Sequence, residues 1–176
     1  MTIAATIATL RRPRHGLSPV LRAIVAGGSV LLLLIVGIAF TRFLIGVTPP
    51  TPYIENPALI VHLATAIPAI PLGAWVLLTR KGGERHKLLG KVWLALMFVT
   101  AFSTLWLRGI NGGSFSFIHA LTLLTFIAVP KAIVTARRGD IVAHRRHLLG
   151  FFIGALLLAG LSAFAPGRVL WQWLLG

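Results

Sequence analysis

In this 176-residue chain the six histidines are the side chains best suited to both proton transfer and metal ligation, because cysteine is absent and Asp and Glu together number three. Five of the histidines, His62, His86, His119, His144 and His147, fall into a pattern; His15 stands apart in a basic tail, where solvation is expected. A neutral imidazole can ligate iron, accept a proton or hydrogen-bond a quinone. The lack of cysteine removes disulfides, thiolate zinc sites, iron–sulfur clusters and cysteine nucleophiles. Glu55, Glu84 and Asp140 all fall outside the apolar stretches, so a di-metal carboxylate centre or a carboxylate-run ion pathway has no residues to work with. Glu84 and Asp140 are expected to pair with neighbouring arginines. No nucleophile elbow occurs, and Gly82-Gly83 is followed by Glu84 rather than by the lysine of a phosphate-cradling loop.

The elements that must position these histidines are membrane helices. Hydrophobic residues make up 57% of the chain, more than one domain of this length could bury. The mean hydropathy is +0.90. A net charge of +14 on a soluble chain would suggest nucleic acid, but only 11% of residues are charged, which points away from that partner. A span needs about 20 apolar residues. Five stretches qualify: Ala23 to Val47, Pro57 to Leu78, Leu88 to Leu107, Phe115 to Val134 and Leu148 to Ala165. The expected fold is therefore an all-α polytopic bundle. Its parts are a basic tail (1–22), an anchor helix (23–47), two helical hairpins (55–107 and 112–165) and a surface-lying tail (166–176).

Fourteen of the 17 Lys and Arg gather at one side: twelve before span one, between spans two and three, and between spans four and five, with Lys91 and Lys131 within the adjoining ends of spans three and four. The positive-inside rule then places the N-terminus in the cytoplasm and the C-terminus on the external or periplasmic side of a plasma (inner) membrane. Arg42, Arg108 and Arg168 are expected to snorkel at the opposite face. Trp75, Trp93 and Trp106, near helix ends, and Trp171 and Trp173 are expected at the headgroup level. Span one is too long for a signal peptide and lacks a cleavage site, so an uncleaved anchor is expected.

The two hairpins repeat one another. His62-Leu63-Ala64-Thr65 answers His119-Ala120-Leu121-Thr122, and Arg85-His86-Lys87-Leu88-Leu89-Gly90 answers Arg146-His147-Leu148-Leu149-Gly150, with His144 offering a second register. His62 and His119 then fall at one depth, about 6 to 8 Å inside the far boundary at 1.5 Å per residue. His86, His144 and His147 precede their spans at the basic boundary. Two imidazoles at one level can ligate a haem b iron axially, or flank a quinone. This layout is similar to cytochrome b561-type proteins, which build two haem sites from a four-helix core. The opposing reading is structural: polar side chains in lipid face the bundle interior and bond Thr65, Thr122 or a carbonyl as interhelical glue. Gly150 and Gly154 offer a small-residue contact, and Pro68, Pro71 and Pro130 could kink their helices or make room for a ligand.

The segments Glu84-Arg85-His86-Lys87-Leu88-Leu89-Gly90-Lys91-Val92-Trp93 and Arg138-Gly139-Asp140-Ile141-Val142-Ala143-His144-Arg145-Arg146-His147 carry a further resemblance. They resemble the two signature stretches of the predicted membrane proteins called domain of unknown function 2306. The resemblance covers roughly Pro57 to Ala165, implies a multi-span membrane protein, and marks His62, His86 and His144. It implies no particular activity, and Gly150-Phe151-Phe152 departs from its pattern. Two functions follow. One is a haem b or quinone-associated electron carrier, with His62 and His119 as ligands and His86 with His144 or His147 on the other side. The other is a non-catalytic membrane subunit whose basic face meets anionic lipid headgroups or a protein partner. A homo-oligomer is left open.

Overall fold

The computed structural model describes residues 16–108 and 114–176. The tail with Arg11, Arg12, Arg14 and His15, and the turn at 109–113, lie outside the described residues. The described chain is helical: α1 (Pro19–Leu44), α2 (Pro57–Leu78), α3 (Glu84–Ser103), α4 (Phe117–Arg137), α5 (Ile141–Ser162) and a short α6 (Val169–Leu175). A 3-10 turn, Thr104–Trp106, extends α3, and residues Phe152–Leu158 of α5 wind as a π-helix.

Local chemistry sets the helix limits. Ser18 Oγ accepts from Leu21 N–H, and Asn56 Oδ1 accepts from Ala58 N–H; each is followed by a proline at the first helical position, where no amide is missed. α1 and α4 end in Schellman motifs, with Gly46 at φ 75° and Gly139 at φ 72°, a conformation that favours glycine. In the second motif Asp140 N–H donates to Thr135 O at 3.0 Å. Asp140 Oδ1 also caps α5 by accepting from Ala143 N–H, so one residue closes one helix and opens the next. It is a cap rather than the arginine partner expected. Glu84 likewise pairs with Lys87, at 2.8 Å, and not with an arginine.

These limits correct the expected spans. α1 begins at Pro19 rather than Ala23, α3 at Glu84 rather than Leu88, and α5 at Ile141 rather than Leu148. Hydropathy detects where a chain turns apolar, whereas a cap decides where it turns helical. His86, His144 and His147 therefore sit inside helices and do not precede them.

Among the described residues five helices are long and apolar enough to cross a membrane, and only 22% to 33% of the most apolar stretch of each is buried inside the protein. The rest of their surface faces outward, as lipid requires. α2 packs on α3 and α4 on α5 as hairpins; α3 meets α4, and α2 meets the π segment of α5. α1 contacts α2, the same π segment and α6. Its buried face is a narrow stripe, Val25, Ser29, Leu32, Val36 and Ala39.

Close contact between helices depends on small residues, because apolar side chains gain nothing by leaving lipid for one another. A Cβ on Gly73 would lie 2.5 Å from Trp93 Nε1 and 2.8 Å from Phe152 Cε2. Gly28 meets Leu157, and Gly160 meets Leu32, binding α1 to α5. A Cβ added to Gly150 or Gly154 would meet nothing within 4 Å, so the close helix contact expected there is not made. Trp93 is 0% exposed, against Phe151 and Phe152 in the bundle core, and does not reach a headgroup. Trp173 is 1% exposed, stacks on Phe43 with centroids 4.3 Å apart, and donates to Thr51 Oγ1. Trp75 and Trp106 are exposed, as expected. Arg42 does not snorkel: its guanidinium donates to Trp173 O and Gly176 O, both at 3.0 Å, tying α6 to α1.

Candidate functional site

Between the helices, toward the end opposite the basic one, lies a cavity of about 360 Å³ walled by all five spans. Leu32 and Val36 come from α1, Leu63 and Ile67 from α2, Met97 from α3, Leu121 from α4, and Leu156 from α5. Val169 and Leu170 of α6 add to the wall, and Arg108 and Arg168 line it beyond the helix ends. Pro68, Pro71 and Pro130 are exposed on the outer surface and do not line it. This is the size and apolar character of a small-molecule site, in which a few polar groups set orientation.

The polar groups are a histidine and a set of threonines. His62, in the second turn of α2, lines the cavity; its Nδ1 lies 3.2 Å from Thr100 O and 3.2 Å from Ser103 Oγ on α3. A carbonyl can only accept, so Nδ1 carries the proton of the neutral ring and Nε2 is left with its lone pair. Thr65 and Thr100 share a hydrogen bond of 2.7 Å, and Thr104 and Thr122 are hydrogen-bonded between α3 and α4. Thr100, Thr104, Thr122 and Thr125 all line the cavity. The spacing of Thr100 from Thr104 and of Thr122 from Thr125, four and three residues, is the sequence signal that would have placed each pair on one helix face.

His119 is not brought to this cavity. Because Ser116 caps α4, His119 falls in the first helical turn, while His62 is in the second, so their positions within the helices are not matched. Ser116 N–H donates to His119 Nδ1 at 2.9 Å, which leaves the ring proton on Nε2, the opposite tautomer to His62. His119 Nε2 is buried without a hydrogen-bond partner among the described residues, and the ring meets Phe115 edge-on.

At the basic end the histidines make different contacts. His86 is in the first turn of α3 and His144 begins the second of α5. His144 Nδ1 donates to Ala132 O at 2.8 Å, bridging α5 to α4, whereas His86 Nδ1 is buried without a partner. His147, one turn further along, makes no side-chain hydrogen bond among the described residues. Among the described residues no group of three or more His, Cys, Asp or Glu could hold a metal ion.

Residues 59–169 match the model of a family described as predicted membrane protein, DUF2306. The chain belongs to the DUF2306 family. No curated protein and no solved structure matches it. The DUF2306 match takes in His62, the cavity threonines, both basic helix starts and Arg168. It leaves out α1, whose Leu32 and Val36 complete the cavity wall.

Proposed function

We propose that this DUF2306 protein is a quinone-associated redox protein of the plasma (inner) membrane, with the quinone head in the five-span cavity. The single observation that carries this reading is the tautomer of the cavity-lining His62: Nδ1–H is held by Thr100 O, which leaves Nε2 as an acceptor. A quinol offers two O–H donors and a quinone two carbonyl acceptors. His62 Nε2 suits the first, and the Thr104 and Thr122 hydroxyls, whose protons are held by Ala101 O and by each other, can also accept. Arg108 and Arg168 supply donors for a second carbonyl; burial lowers the Arg168 pKa, though a guanidinium stays charged. Haem b is the weaker reading. Nε2 of His62 is also the atom an iron would take, but His119 does not line the cavity and carries its proton on Nε2.

The test is quenching of Trp106, a cavity-lining residue, by a short-chain quinone added to the purified protein in detergent. Saturable quenching is expected, at least tenfold weaker in His62→Asn. That variant keeps an amide donor for Thr100 O and removes Nε2, so it separates ligand contact from interhelical glue. If His62→Asn binds as wild type, the ligand role fails and the glue reading stands. A Soret band in protein expressed with ample haem, lost in His62→Ala, would establish haem in place of quinone.

The orientation is part of the same proposal, with the basic end cytoplasmic. Alkaline phosphatase fused after α1 or α5 is expected to be active, and fused within the turn of Lys81 to Gly83 to be inactive. The reverse pattern would invert the topology.

A further inference from the structure

The cations of the basic end do not simply line the helix ends; several converge. Lys81 lies in the turn between α2 and α3, His86 in the first turn of α3, His144 and Arg145 near the start of α5, and Arg22 near the start of α1. Lys81 is near enough to Arg145 and Arg22 to sense both charges, and His86 senses Lys81 and His144. Lys81, His86, His144 and Arg145 are half-buried, and Arg22 is exposed. Lys81 Nζ turns back to donate to Leu77 O at 2.9 Å and Thr79 O at 3.4 Å, and Arg145 donates to Gly16 O at 3.1 Å.

No acid of the described chain offsets them. Glu84 is an exposed partner of Lys87, Asp140 Oδ1 caps α5, and Glu55 lies at the other end of α2. Like charges gathered on three helices repel, and cations at the starts of α1, α3 and α5 face the positive ends of the helix dipoles as well. Burial first, then Arg145 and Arg22, lower the pKa of Lys81 below its usual value. The His86 Nδ1 atom, buried beside this group, has no partner. An anion placed among these cations would relieve the repulsion.

We infer that Lys81, His86, His144 and Arg145, with Arg22, form a binding site for a phosphate group, separate from the quinone cavity and independent of it. His86 lies just ahead of the apolar run that begins at Leu88, and His144 just ahead of the run at Leu148, which is the level of lipid headgroups. A lipid phosphodiester reaches this level from the bilayer, and a soluble phosphate reaches it from the aqueous side.

Native mass spectrometry and thermal unfolding of the full chain in detergent test the site, with phosphatidylglycerol, phosphatidylcholine or inorganic phosphate added. Phosphatidylglycerol is expected to stay bound and raise Tm. The Lys81→Gln/Arg145→Gln pair is expected to retain at least tenfold less, and His86→Gln, a milder variant, to retain several-fold less. Arg137→Gln/Arg138→Gln removes the same charge from exposed positions at the same end and is expected to bind as wild type. Stabilisation by inorganic phosphate alone, lost in Lys81→Gln/Arg145→Gln, would support the site with a soluble anion as its ligand. Equal loss in the Arg137 and Arg138 variant, or no preference for phosphatidylglycerol over phosphatidylcholine without a phosphate effect, would overturn the inference.

Discussion

Replacing Gly73 by alanine is expected to destabilise the detergent-solubilised protein by roughly 1–3 kcal/mol, the usual cost of overpacking a rigid core. Each kcal/mol corresponds to a Tm lower by about 2–4 °C in a chain of this size. The added methyl would lie 2.5 Å from Trp93 Nε1, 2.7 Å from Trp93 Cε2 and 2.8 Å from Phe152 Cε2. Both rings are 0% exposed, so neither can swing into lipid to make room. Gly160→Ala provides the comparison. Its Cβ would meet Leu32 Cδ2 at 2.6 Å, but that atom is the tip of a flexible side chain, and a smaller loss is expected. Trp93 Nε1 has no hydrogen-bond partner among the described residues, so Trp93→Phe gives up no bond and relieves the two contacts with the indole, leaving that with Phe152. Gly73→Ala added to Trp93→Phe should therefore cost less than Gly73→Ala alone. A Gly73→Ala protein that unfolds at the wild-type temperature would show that α2, α3 and α5 do not meet as described.

The second large effect is expected at Trp173, where Trp173→Ala should cost about 3–5 kcal/mol of local packing. The substitution removes the ring stacked on Phe43 and the donor to Thr51 Oγ1. α6 would then be held to α1 mainly by the Arg42 bonds to Trp173 O and Gly176 O. Limited proteolysis should cut the segment after Pro166 in the variant and spare it in the wild type. Because Arg168, Val169 and Leu170 line the cavity, quinone binding should weaken in the same protein although His62 is untouched. Protection of the segment in Trp173→Ala would mean that something other than this tryptophan docks α6.

Particular residues show where one-dimensional reading reached and where it stopped. The cost of placing charge in hydrocarbon is paid residue by residue, so apolar runs free of acid revealed the five spans. The repeated His-Thr and Arg-His-Leu segments exposed the two hairpins for a similar reason, since each hairpin is a local unit. Trp93 and Trp173 were misplaced because a tryptophan near a helix end has the same neighbours in sequence whether it faces lipid or protein. Gly73 decides the first case and Phe43 with Thr51 the second, and these contacts span 20 to 130 positions of sequence. Arg42 was read as a snorkelling cation for want of any view of α6, whose carbonyls it caps.

The histidines divide along the same line. Their number, their repetition and their lack of competing thiols and acids could be read from residue types alone, as could membership of a multi-pass architecture. Which nitrogen each ring leaves free could not, because tautomers are set by partners: Thr100 O on a neighbouring helix for His62, the Ser116 amide on its own helix for His119, and Ala132 O across the α4–α5 turn for His144. Hydropathy and charge act locally, through each residue's own transfer cost between water and lipid, so the order of residues was enough to place helices in a membrane. The cavity, the separation of His119 from His62 and the gathering of Lys81 with Arg145 arise from packing between distant segments, and only the assembled bundle decides them.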